Sequence, residues 1–367
     1  MAGREPAYDR RPIGSLVPAP ASLLSLATAS PPHDLPQDEV AAVARELFGP
    51  RFAEFERMSR VFESTGIERR QGARPISWFR EPKGWPERTA VYLEVGEALF
   101  VEAADRALAA AGLTAADVDQ IVTVSSTGVA TPSLEARAHR RMGFRADVQR
   151  VPVFGLGCAG GVSGLSIAAR LAEARPGSTV LLVAVELCTL AFRLDSLTKA
   201  NVVATALFGD GAAAAVLRAG DGGGLATVEG AGEHTWPETL DVMGWNVDPV
   251  GFGVIFARSI PPFAIQHVGP AVHGVLDRLG LKPADLGRFV CHPGGAKVVE
   301  AFEIALELAP GTLDLEREVL RDHGNMSAPT ALFVLERALR EQPQDRSVLL
   351  ALGPGFTASA VSLTRPA

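Results

Sequence analysis

The sequence predicts an α/β protein made of two similar βα halves, and three observations carry that prediction. First, apolar runs of strand length alternate along the chain with longer segments of helical spacing. Second, local patterns recur at one offset. Ala111-Gly112-Leu113 and Leu279-Gly280-Leu281 each open a short turn before an apolar strand, at Ile121 and Phe289 respectively. Val180 and Val348 begin matching apolar strands, and Gly157-Cys158 and Gly324-Asn325 each lead into a helical segment. The offset is about 168 residues each time, far too long for a solenoid repeat, so it indicates duplicated halves. Third, the composition is that of a globular protein, 47% hydrophobic and 21% charged over 367 residues. That length suits about two domains.

Taken in order, residues 1-20 read as a flexible tail, 21-228 as the half carrying Cys158, and 229-367 as the half carrying His292 and Asn325. Residues 21–29 suit a first strand and 37–48 a helix. Residues 52–65 continue as an amphipathic helix bearing Arg57 and Arg60. Residues 66–70 read as a loop, and 71–89, rich in Pro, Trp and Arg, as irregular surface. An alanine-rich helix follows over 90–111, stopped by Gly112-Leu113, and then a buried-type strand over 121–126. The stretch Val153 to Gly161 ends an apolar run in glycines, presents Cys158, and passes into a helical segment over 162–174. Residues 179–186 form another apolar strand. Leu207-Phe208-Gly209-Asp210-Gly211 is a turn into a strand of alanine and valine. In the second half, 289–292 and 348–351 repeat the strand pattern.

Charge and cysteine usage exclude several classes. Lys+Arg 35 against Asp+Glu 42 leaves a net −7 with no basic face, which argues against a nucleic-acid partner. Three cysteines without CxxC spacing form neither a disulfide framework nor a zinc site, so no metal is expected. No apolar run approaches the ~20 residues that span a bilayer, and the first twenty residues lack the apolar core of a signal peptide. A cytoplasmic protein is expected.

Cys158, His292 and Asn325 carry the chemistry. Glycines flanking Cys158 allow a tight turn and close approach of a ligand, and a helix N-terminus favours the thiolate. Histidine can take the thiol proton and hold the thiolate as an ion pair. Histidine and asparagine can both donate to an oxyanion. If the halves pack about a pseudo-twofold axis, Cys158 and Asn325 face each other from equivalent helix starts, with His292 near the same axis. Alone, each has a plainer reading: a buried structural thiol, a strand-end histidine, a helix N-cap.

Five motifs in this order resemble the chalcone synthase-like, or type III, polyketide synthases of the thiolase fold. They are Gly157-Cys158 with Ala159-Gly160-Gly161, Leu207 to Gly211, His292-Pro293-Gly294-Gly295, Gly324-Asn325-Met326-Ser327 and Gly353-Pro354-Gly355. The likeness runs from about Ala21 to the C-terminus and is nearest to bacterial members that make alkylpyrones or alkylresorcinols. It implies a thiolase-like fold of two αβαβα halves, paired as a homodimer in which Thr131 reaches the partner's cavity. Cys158 would hold the growing chain. His292 and Asn325 would bind the malonyl thioester and stabilise its enolate. Phe208 matches the gatekeeping aromatic, and Arg57 and Arg60 match positions that contact coenzyme A phosphates. Ser126, Thr131, Cys188, Ala191, Val254, Ser327 and the Gly353-Pro354-Gly355 turn fall on pocket positions. Their small side chains imply a fatty acyl starter rather than an aromatic one. No cofactor beyond coenzyme A thioesters is implied. The alternatives are a chalcone-type enzyme with an aromatic starter and a ketoacyl-acyl carrier protein synthase of the initiating type, which adds one unit.

Overall fold

The segment Thr179–Leu187 is buried at all nine residues. A strand apolar on both faces needs a layer on each side of its sheet. Its period of two sorts the side chains. Leu182 and Ala184 join one core, while Leu181, Val183 and Val185 join another.

The computed structural model describes residues 19–220 and 223–366. The tail expected over 1-20 lies almost wholly outside the described residues. In chain order the strands are β1 Ala21–Ala29, β2 His33–Pro36, β3 Arg69–Gly72, β4 Gln120–Val124, β5 Gln149–Val153, β6 Thr179–Leu187, β7 Asp210–Ala219, β8 Ala226–Thr235, β9 Met243–Asp248, β10 Gly251–Phe256, β11 Arg288–Cys291, β12 Arg346–Gly353 and β13 Thr357–Thr364. Nine of them form one sheet in the order β11-β12-β13-β8-β1-β7-β6-β4-β5, β9 and β10 make a hairpin, and β2 with β3 forms a second two-stranded sheet.

The duplication is visible in this order. Read outward from the seam, β1-β7-β6-β4 and β8-β13-β12-β11 follow the same path. In each, the first three strands are antiparallel to their neighbours and the fourth pairs parallel. The halves meet where β1 pairs β8 through Ser22–Thr227 and Leu23–Ala226. The first half continues to β5, which has no counterpart in the sheet's other half among the described residues.

Between the two half-sheets lie the helices Gly160–Ala174 and Ala328–Glu341, whose Val162, Leu165, Ala331 and Leu332 build the central core with strands of both halves. The helix Trp85–Ala110 covers the outer face of the first half. The helices Ile260–Arg278 and Ala296–Ala305 cover that of the second. The result is five layers, αβαβα. The central helices touch backbone to backbone: a Cβ on Gly161 would lie 2.2 Å from the Ala328 carbonyl oxygen.

Local expectations fail where propensity meets packing. Residues 52–65 form not one helix but two single turns, Phe55–Met58 and Val61–Ser64, because Phe55 and Phe62 both turn into a small core against Val202 and Ala206. The supposed loop before residue 71 ends in β3, which pairs with β2. The long helix starts at Trp85, not residue 90, with Pro86 in its first turn and the Glu87 side chain accepting from the Gly84 N–H at 3.1 Å.

Gly161→Ala forces the central helices apart. Urea denaturation should register a loss of about 1–3 kcal/mol, the usual cost of overpacking. A loss near zero would mean the two helices separate freely.

Candidate active site

The nucleophile turn is built by close approach. After β5, Gly155 and Gly157 adopt φ of +91° and +48°. The chain then passes through the short turn Gly157–Ala159 into the helix Gly160–Ala174, so Cys158 sits at a helix start. A Cβ on Gly157 would lie 2.7 Å from Pro354 Cδ, and one on Gly353 would lie 2.6 Å from Ala159 Cβ. The Gly353-Pro354-Gly355 turn therefore packs directly on the turn that holds the thiol. Ser126 secures the same turn from the other side, its Oγ accepting from Gly155 N at 3.1 Å and Gly157 N at 3.3 Å.

Asn325 is held by the Leu207-Phe208-Gly209 segment. Its N–H donates to Leu207 O at 2.8 Å, and its carbonyl accepts from Gly209 N at 3.0 Å. The carboxamide is oriented as well: Oδ1 accepts from Ser327 N at 2.8 Å, and Nδ2 donates to Gly294 O at 3.1 Å. Ser327, at φ 58°, is one of three non-glycine residues with positive φ among the described residues, a strained placement next to the site. Oδ1 lies 4.0 Å from Cys158 Sγ. His292 follows β11, and its N–H donates to Leu350 O at 2.8 Å.

Cys158, His292 and Asn325 line one chamber of about 290 Å³, whose other walls include Met243, Phe256, Ile260, Phe302 and Leu352. Burial pushes the Cys158 thiol up to about 11, with hydrogen bonds from the Ser327 and Asn325 side chains opposing it. Burial also drives the His292 imidazole down to about 3, and neither ring nitrogen has a protein partner. Burial thus works against the expected thiolate–imidazolium pair at both partners. In a buried chamber desolvation favours two neutral groups over a separated charge pair, and the helix N-terminus opposes it.

The structure also brings in buried acidic side chains that sequence reasoning passed over. Glu186, within an otherwise apolar strand, accepts from the Ser126 N–H at 3.0 Å and from Thr127 Oγ1 at 2.7 Å. Burial lifts its carboxyl to about 8. Asp210 accepts from Ala73 N and Thr189 N, both at 2.7 Å. A lone acid inside an apolar run was the available signal, since such a group is tolerated only with partners.

The remaining predicted pocket residues scatter. Phe208 packs edge-on to Trp245 with ring centroids 6.1 Å apart. Phe208 and Cys188 line a separate apolar chamber. Ala191 is buried in the turn after β6, Val254 faces Trp245 across the β9–β10 hairpin, and Thr131 is exposed. None of these five lines the catalytic chamber. That chamber shares Phe256, Ile260, Gly294 and Val298 with an outer cleft of about 1180 Å³, whose rim carries Lys199, Arg258 and Lys297. Arg57 and Arg60 are exposed on the adjoining turns and do not line that cleft; Arg57 instead lies 3.4 Å from Glu54. Among the described residues no group of three or more His, Cys, Asp and Glu could hold a metal ion, and no helix is long and apolar enough to cross a membrane.

A buried thiol facing a carboxamide and an imidazole, at the ends of duplicated βα halves, defines an acyltransferase of the thiolase fold. Comparison with known proteins narrows the class. The family model described as chalcone and stilbene synthases, N-terminal domain, matches residues 84–221, and its C-terminal counterpart matches 228–365. The chain thus belongs to the chalcone and stilbene synthase family, the type III polyketide synthases. A 1,3,6,8-tetrahydroxynaphthalene synthase of Streptomyces peucetius subsp. caesius is 43% identical over 349 residues, covering 93% of this chain and 92% of that protein. A putative chalcone synthase of Bacillus subtilis is 35% identical, covering 92% and 96%. The crystal structure of the Streptomyces coelicolor 1,3,6,8-tetrahydroxynaphthalene synthase, a bacterial type III polyketide synthase, superposes with a TM-score of 0.89 at 29% identity, covering 94% of this chain and 99% of that one.

The neutral imidazole has a measurable consequence. Below pH about 6.5 the unfolded chain binds a proton at His292 that the folded chain refuses, so stability falls with acidification. Between pH 6.5 and 5 this share is about 2 kcal/mol. It should be missing from His292→Gln in urea denaturation at the two pH values. Equal losses in both proteins would contradict a buried neutral imidazole.

Proposed function

We propose that this chain takes a fatty acyl group from coenzyme A onto Cys158 and extends it by repeated decarboxylative condensation with malonyl-CoA. Cyclisation to an alkylpyrone, alkylresorcinol or related polyketide follows. The observation that carries the reading is the shared chamber of Cys158, His292 and Asn325, which adjoins a cleft rimmed with cations.

Each residue has a task its environment suits. A neutral His292 has one ring nitrogen free to accept the thiol proton as Sγ attacks the starter's thioester carbonyl. The thioester forms on Cys158, and coenzyme A leaves as its thiol after taking up a proton. Malonyl-CoA then loses carbon dioxide, and the electron pair of the broken C–C bond becomes an enolate. Asn325 Nδ2 uses one N–H on Gly294 O and has a second for the enolate oxygen; the His292 N–H supplies the other donor. The enolate carbon attacks the Cys158 thioester, and the lengthened chain returns to the thiol. Decarboxylation itself supplies the carbanion, so no metal or redox cofactor is called for. A reduced Cys158 suits the cytoplasm.

Apart from the triad, the chamber's wall side chains are apolar, which favours an alkyl starter. A phenolic hydroxyl there would lack a partner, at a cost of about 1–3 kcal/mol. Lys199, Arg258 and Lys297 suit the coenzyme A phosphates, with Arg57 and Arg60 as an outer ring. Exposed Val129 and Phe154, near Thr131 and Cys158 in sequence, favour a homodimer formed through the first half. A second reading, a chain started and extended by malonyl units alone, is favoured by the relative at 43% identity that is named for its tetrahydroxynaphthalene product.

Steady-state kinetics with mass spectrometry of the products separates these. Decanoyl-CoA should exceed p-coumaroyl-CoA in kcat/KM by roughly tenfold or more, as expected from one unpaired hydroxyl. A main product from malonyl-CoA alone would favour the second reading, and a product with one added unit would indicate a single-condensation enzyme. Lys199→Ala combined with Arg258→Ala should raise KM for malonyl-CoA by about tenfold or more, two charge-assisted contacts being lost. An unchanged KM would move the phosphates elsewhere.

A further inference from the structure

The catalytic chamber at rest is too small for the chemistry it houses. Side chains crowd its about 290 Å³, and the free space left to a water-sized group is about 10 Å³, room for a single water. The outer cleft offers about 450 Å³ by the same measure. An acyl group joined to Cys158 needs far more than the space of one water, so part of the chamber wall has to move.

The wall residues differ in how far they can move. Phe302 and Leu352 are buried in the core of the second half. Ile260 and Val298 are buried on the two helices that cover that half, and a β-branched side chain on a helix is held to one χ1 rotamer. Met243 and Phe256 are only half-buried, and they stand opposite each other at the open end of the β9–β10 hairpin. That hairpin pairs with no strand of the nine-stranded sheet, and a two-stranded ribbon by itself is marginally stable. Its turn end is clamped: the Asp248 carboxylate accepts from Arg193 Nη1 at 3.0 Å, and Asp248 O accepts from the Trp85 indole at 2.8 Å. The other end carries the two chamber residues.

Phe256 also marks the junction of the two spaces. Chamber and cleft share Phe256, Ile260, Gly294 and Val298, and Phe256 is the one aromatic of the four. Phe208, which the family resemblance assigns to gatekeeping, lines neither space and packs beside Trp245.

We propose that Phe256 controls access to Cys158: its ring shuts the chamber off from the cleft at rest and swings aside to admit a thioester, with Met243 yielding behind it. Methionine, unbranched and with three rotatable side-chain bonds, adapts to such a change. The proposal rests on the reading that thioesters reach Cys158 from the cation-rimmed cleft, and it does not depend on which starter they carry.

Alkylation of Cys158 in the full chain by N-methylmaleimide and by N-benzylmaleimide, followed by peptide mass spectrometry, tests this. No substrate is used, so a failure here is separate from a failure of the kinetic experiments on the starter or on Lys199 and Arg258. Phe256→Ala should speed the reaction with N-benzylmaleimide by about tenfold, the effect of removing one half-buried ring. It should speed N-methylmaleimide by less, because a phenyl ring swung aside still narrows the passage. Cys291, fully buried and outside the chamber, should react as slowly as in the wild type, which reports an intact fold. Phe256→Leu, the milder change, should give an intermediate acceleration and carries the test if the alanine variant exposes Cys291. Phe208→Ala should leave the Cys158 rates as they are. An unchanged N-benzylmaleimide rate in folded Phe256→Ala or Phe256→Leu, equal acceleration of the two reagents, or a larger effect from Phe208→Ala would each overturn the proposal.

Discussion

The contact on which the rest depends is the bare approach of two central helices. At Gly161 there is room for the Ala328 carbonyl and for nothing larger than hydrogen. Gly160 is nearly as confined, since a Cβ there would lie 2.7 Å from Val124 and 3.2 Å from Ala328. The helix starts can therefore lie side by side on the pseudo-twofold axis. Cys158 precedes one and Asn325 the other, which is why residues 167 positions apart stand 4.0 Å from each other. A side chain between the helices would remove the chamber, not merely loosen the core.

That chamber is buried and walled mainly by apolar side chains, and burial shapes its electrostatics. Burial favours the protonated thiol and the neutral imidazole. A neutral imidazole is both donor and acceptor, which a cycle of thiol deprotonation and enolate stabilisation requires. The same low-dielectric setting strengthens each hydrogen bond to a developing oxyanion. The donors of Asn325 and His292 are thus already in place when a substrate arrives.

Holding those donors takes a buried polar frame around the site. Glu186 grips the backbone at Ser126, whose hydroxyl in turn holds the nucleophile turn. Asp210 ties β7 to the segments at Ala73 and Thr189. Arg70 holds the carbonyl of Phe208, next to the two residues whose backbones pair with Asn325. Each is an ionisable group removed from water, tolerated because most of its hydrogen bonds are met. The unmet edge of Arg70 is the exception.

The duplicated α/β halves and the three residues that meet on their axis were legible in the order of residues alone. Those features are written in local periodicity, glycine placement and a repeated offset, each of which constrains the backbone near its own position in the chain. Which faces those residues present, and what surrounds them, came from packing. It moved Ser126, Ala191 and Val254 off the catalytic chamber, broke the expected helix over 52–65 into two turns, and gathered Lys199, Arg258 and Lys297 at one rim. Cavities and charge clusters are shared by segments far apart in sequence, and their positions depend on how whole layers pack. No single stretch of the chain carries that information.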